Sequence, residues 1–78
     1  MNFKDLDILE QNTRDIKTMI TIATDYIDKI DDLTDLKAKG YMFFNSCDQL
    51  YFLLNELQKR INSTDKIIQR TVENRCNN

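Results

Sequence analysis

Residues 6–30 read LDILEQNTRDIKTMITIATDYIDKI. Within them Leu6, Leu9, Thr13, Ile16, Ile20, Ala23, Ile27 and Ile30 recur at alternating steps of three and four, and Thr13 is the one polar member. Such a seven-residue repeat is the mark of a helix, since a strand would alternate every second residue. Met19, Ile22 and Tyr26 flank the stripe and widen its apolar arc to about 160°. A seam serving a single partner helix would be narrower.

Further along, Phe43, Cys47, Leu50, Leu54, Leu57 and Ile61 repeat the pattern, and Thr64, Ile68 and Thr71 continue it more weakly. Phe44, Tyr51 and Leu53 broaden this second face. The spacing predicts one all-α domain over residues 1–78, with a first helix over about 3–31, a linker over 32–40 and a second helix over about 41–73. Asn62, Ser63, Thr64 and Asp65 bond readily to nearby backbone and mark a possible break at 62–65. One long helix is the expected form, a broken one the alternative. In the linker, Thr34 is placed to cap a short helix ending at Lys39, with Gly40 at the left-handed position beyond it. Asn45 or Ser46 could cap the second helix instead, Gln49 completing a capping box from Ser46.

Composition narrows the chemistry. There is no Pro and a single Gly in 78 residues, so the turns of a sheet protein would be hard to build. No His is present, which removes the commonest general base and metal ligand. Cys47 and Cys76 form no CxxC pair; Cys47 falls on the apolar stripe and reads as a small buried hydrophobe, and Cys76 as a tail thiol. Asp25, Asp28, Asp31 and Asp32 read as a solvated face rather than a metal site. No Gly-rich phosphate loop occurs. A non-enzymatic protein without cofactor or metal is therefore expected. The start shows no basic region leading into an apolar run, and no apolar stretch nears the ~18 residues of a membrane span. A cytoplasmic location follows as the expectation, with no membrane partner.

Charge suggests how the chain folds back. Residues 1–35 hold four basic against nine acidic residues, a net of −5, and residues 58–78 hold five against two, a net of +3. An antiparallel hairpin sets the acidic start beside the basic end and suits both helix dipoles. Two helices cannot cover arcs this broad, so the hairpin is expected to dimerise into a four-helix bundle. The residues expected to self-associate are Ile16, Met19, Ile20, Ala23, Tyr26, Ile27, Ile30, Phe43, Phe44, Leu50, Tyr51, Leu54, Leu57 and Ile61. A compact monomer broken at Asp32, Gly40 and Ser63 is the alternative. Tyr41 and Phe52 fall outside both stripes and are candidate contacts for a further protein partner.

These features point to an interaction or regulatory protein that works as a small homodimeric bundle. Its richness in Asn, Ile and Lys suits a low-GC bacterium or phage, in a defence or mobile-element setting. The alternative is a nucleic-acid-binding regulator using Lys59, Arg60, Lys66, Arg70 and Arg75 along the second helix.

Phe44-Asn45-Ser46 and Asn55-Glu56-Leu57-Gln58-Lys59-Arg60-Ile61-Asn62 resemble segments of HEPN-type proteins of the HepT-like group. The resemblance covers about residues 5–62. It implies a dimeric helical bundle, in a family that includes ribonuclease toxins paired with nucleotidyltransferase antitoxins. The family's Arg-x4–6-His catalytic motif requires a His that this chain lacks, so no catalytic role carries over. The resemblance thus implies an inactive derivative offering the family's dimerisation face.

Overall fold

A computed structural model describes residues 2–76; the Cys76 thiol lies outside what it describes. Two helices make up the fold: α1, Phe3–Asp31, and α2, Leu36–Cys76. No described helix is long and apolar enough to cross a membrane.

Asn2 caps α1. Its backbone is extended, and its Oδ1 accepts from the Asp5 amide at 2.7 Å, satisfying one of the donors that a helix start leaves unpaired. Asp5 adds negative charge in the first turn, and Lys29 adds positive charge in the last, both matching the helix dipole.

The connection is shorter than the sequence suggests. Asp35, rather than Thr34, Asn45 or Ser46, sits ahead of α2: its Oδ2 accepts from the Ala38 amide at 3.1 Å and its carbonyl from Lys39 at 3.0 Å. The linker contracts to residues 32–35, and the proposed short helix is simply the start of α2. Gly40 lies within that helix, and no described residue has a positive φ, so its conformational freedom is not used. A methyl group at Gly40 would meet nothing within 4 Å. Gly40→Ala is therefore expected to stabilise the protein by about 0.5–1 kcal/mol, the usual gain at an open helical site. Thermal unfolding of the two proteins checks this.

α2 also runs unbroken through residues 62–65. The residues seen there as helix breakers have other uses: Ser63 and Thr64 accept hydrogen bonds from α1. At about 1.5 Å per residue, 41 helical residues span about 61 Å, which matches the 61 Å length of the molecule. α2 is thus close to straight and sets the long axis.

The helices pack antiparallel in a constant register. Asn12 meets Ser63 and Thr64, Asp15 meets Arg60, and Asp5 meets Arg70, so the numbers of facing residues sum to 75 or 76. On that rule Asp31 is level with Phe44, and the first two turns of α2 project past the end of α1.

Little is fully buried. Leu53 and Ile67 are the buried apolar side chains among the described residues, joined by the polar Asn12 and Ser46. The cause is the rotation of each helix about its own axis. In α1 the row Asp5, Asn12, Met19, Tyr26, spaced by seven, faces α2; in α2 the row Ser46, Leu53, Arg60, Ile67 faces α1. Beside each lies a half-buried row: Leu9, Ile16, Ala23 and Ile30 in α1, and Leu50, Leu57, Thr64 and Thr71 in α2. One row further round, Leu6, Thr13, Ile20 and Ile27 of α1 and Cys47, Leu54, Ile61 and Ile68 of α2 are exposed.

This corrects one expectation: part of each apolar stripe turns outward, and with it Cys47, which is exposed rather than buried. The shift is one heptad row, about 50°. The cross-helix bonds of Asn12, Asp15 and Arg60 account for it, because they draw a partly polar row into the seam.

Candidate interaction faces

In an antiparallel pair of right-handed helices, rows displaced in the same rotational sense end up on the same side of the hairpin. The two exposed apolar rows therefore form one face. The other flank confirms the geometry. Ile22 of α1 lines a hollow there with Asp48, Gln49 and Phe52 of α2, and Ile8 lines a groove with Ser63, Lys66 and Arg70. These residues belong to the rows displaced in the opposite sense.

The apolar face takes Leu6, Ile20 and Ile27 from α1 and Phe43, Leu54, Ile61 and Ile68 from α2, each about half exposed. The half-buried rows floor it. The fourteen residues expected to self-associate divide evenly. Ile16, Met19, Ala23, Tyr26, Ile30, Leu50 and Leu57 are half-buried within the hairpin, and Ile20, Ile27, Phe43, Phe44, Tyr51, Leu54 and Ile61 are exposed. Sequence reasoning missed Leu6 and Ile68 as members of this face, although both lie on the stripes it drew. It also missed Asn12, whose only signal was its polarity three residues after Leu9.

A polar cluster fixes the middle of the hairpin. Asn12 Nδ2 donates to Ser63 Oγ and Thr64 Oγ1, each at 3.1 Å. One turn along, Arg60 Nε donates to Asp15 Oδ2 at 3.3 Å, and Arg60 Nη1 donates to the Glu56 carboxylate. Lys59 Nζ also donates to Glu56 Oε1, at 3.1 Å. The Gln11 amide and then Arg60 hold the Asp15 carboxyl below its ordinary value; Arg60 and then Lys59 do the same for Glu56. Both carboxylates, with ordinary values of 3.8 and 4.5, favour the folded state only while ionised. Their contribution is complete above those values and is lost as pH falls through the lowered folded-state ones. Stability should hold from neutral pH to about 5 and then decline. In Asp15→Asn/Glu56→Gln the acid decline should be shallower, as urea titrations between pH 3 and 7 would read.

The basic residues of α2 do not make one free patch. Arg60 is held by Glu56 and Asp15, Lys59 by Glu56, and Arg70 by Asp5 at 3.4 Å. Arg75 lies on the heptad row of Ile61 and Ile68, away from Lys59 and Lys66. Tyr41 and Phe52 are both exposed but stand eleven residues apart, about 16 Å along the helix. They belong to different sites. Phe52 borders a hollow of about 340 Å³ with Ile22, Tyr26 and Leu53, on the side opposite the apolar face. Tyr41 lies near the projecting start of α2.

Among the described residues, no group of three or more His, Cys, Asp or Glu is placed to hold a metal ion. No family model, curated protein or solved structure matches the chain.

Proposed function

We propose that this is a non-catalytic interaction and regulatory protein whose working form is a homodimeric four-helix bundle closed by the apolar face. The observation that carries this reading is the single-sided apolar surface spanning both helices. A monomer with two buried apolar side chains among the described residues leaves most of its described large hydrophobic residues in water. Contiguous apolar surface of this kind marks an interface. Its rows run from Leu6 to Ile27 in α1 and from Phe43 to Ile68 in α2, about 32 and 38 Å at about 1.5 Å per helical residue.

The charges make a second copy the fitting occupant. α1 holds four basic and seven acidic residues, a net of −3; α2 holds seven and four, a net of +3; Asp32 and Asp35 complete the chain's −2. A face bordered by one acidic and one basic helix is complementary to itself.

The outer side stays free in such a bundle. Phe52 and its hollow give each copy an anchor point for a further protein, which is where regulation of a partner would act. The nucleic-acid alternative draws on Lys59, Lys66 and Arg70, which share a shallow groove with Asn62 and Ser63. The pairing of Lys59 and Arg70 with carboxylates favours the protein-binding reading. In gel shifts at low and high salt, the protein is expected to retard neither duplex DNA nor RNA. A salt-sensitive shift at micromolar protein would favour the alternative.

Chemical cross-linking at low micromolar concentration tests the reading. A dominant two-copy species is expected. A one-copy species throughout would contradict it.

A further inference from the structure

We propose that the two copies are related by a two-fold axis along the length of the molecule, so that α1 of each packs on α2 of the other and both connections lie at one end. This rests on the self-association argued above and adds its geometry.

Two rotations can bring the apolar faces together. One axis runs along the hairpin and sets α1 against the partner's α2. The other runs across it and sets α1 on α1 and α2 on α2. Both make every neighbouring helix pair antiparallel, so helix dipoles do not choose between them. Side-chain charge does. The two halves of α1, residues 3–17 and 18–31, carry −1 and −2; those of α2, residues 36–55 and 56–76, carry +1 and +2. With the axis along the molecule, −1 faces +2 and −2 faces +1. With the axis across it, −1 faces −2 and +1 faces +2. Helices packed about 8–10 Å apart lie within about one screening length at physiological salt, so these pairings are felt.

The register agrees. A rotation about the long axis leaves every residue at its own height, so the numbering rule within the hairpin also governs contacts between copies. Leu6 then meets the partner's Ile68, Thr13 the partner's Ile61, Ile20 the partner's Leu54, and Ile27 the partner's Cys47. Each pair sums to 74, beside the 75 and 76 seen inside the hairpin. The exposed rows would pack as the inner rows already do, with Leu9, Ile16, Leu50 and Leu57 at the centre of the bundle. The rotation across the molecule gives no such match without an arbitrary choice of axis height.

The arrangement has a consequence for partners. Both connections, each flanked by exposed Tyr41 and Phe44 and rich in Asp, share one end of the dimer. The other rotation would set them at opposite ends of a molecule 61 Å long.

The test is a distance between spin labels attached through an azido amino acid at position 34, in the exposed connection, measured by double electron–electron resonance on the full chain. Light scattering is run on the same sample. A dimer mass with a distance under about 30 Å, set by helix spacings of 8–10 Å, is the expected result. A dimer mass with a distance near 60 Å would overturn the arrangement and leave self-association standing. A monomer mass with no dipolar signal would overturn both. As an independent check, Ile20→Cys/Leu54→Cys is oxidised in a mixture of isotopically light and heavy protein. A 20–54 disulfide between light and heavy copies is expected, and its absence in a dimeric sample would count against the arrangement.

Discussion

Leu54→Asp is expected to turn the dimer into a monomer while leaving the helices intact. Leu54 is 61% exposed in the single hairpin, so a carboxylate there stays in water and costs the isolated chain little. In the bundle the same position is covered, and each interface would hold two such substitutions. Burying an unpaired carboxylate costs several kcal/mol. At about 1.4 kcal/mol per factor of ten, even 4 kcal/mol weakens association roughly a thousand-fold. Sedimentation should show a shift toward one copy, and circular dichroism at high protein concentration should show helix content close to the parent. Tyr51→Asp is the control. Tyr51 lies three residues away on the margin of the face, so its effect should be far smaller. Association unchanged in both would mean that the interface is elsewhere.

Ile67→Ala is expected to have the largest effect on folding. Ile67 is 2% exposed, the most deeply buried apolar side chain among the described residues. Trimming a buried Ile to Ala typically costs 2–5 kcal/mol, from lost transfer energy and the cavity left behind. A small domain holds about 0.05–0.15 kcal/mol per residue in total, so this is a large fraction of its stability. Ile68→Ala gives the contrast. Ile68 is 48% exposed and stands on the open row, so its loss should act through association. Urea midpoints taken at two protein concentrations separate the cases. Ile67→Ala should be destabilised at both, whereas the deficit of Ile68→Ala should be small at the lower concentration, where single copies dominate, and grow as concentration rises.

The helical hairpin was legible because the apolar spacing of 6–30 and 43–61 carries seven-residue periodicity that only helices satisfy. What the periodicity did not show is which part of each stripe meets the other helix. An apolar arc of about 160° is compatible with several rotations, and polar contacts chose among them. Asn12, Ser63, Thr64, Asp15 and Arg60 looked like surface or break-forming residues one by one. Their role arises only when numbers summing to about 75 come together, a long-range pairing that no local pattern reports. The same limit explains Cys47, whose place on the stripe was read correctly but whose face is open. The start of α2 was missed for a local reason. Gly40 resembles a helix stop, and the Asp35 cap four residues upstream of Lys39 outweighs it. On the candidate faces, the apolar patch was visible as excess width of the stripes. The hollow beside Phe52 was not, because it combines opposite flanks of two helices.

The central claim is that a second copy covers the apolar face. Absolute mass by light scattering after size exclusion, in reductant and over a hundred-fold range of concentration, tests it most directly. A mass near twice 9.3 kDa, falling toward 9.3 kDa only on strong dilution, is the predicted result. A mass of 9.3 kDa at every concentration would contradict it and leave the face open for a different protein.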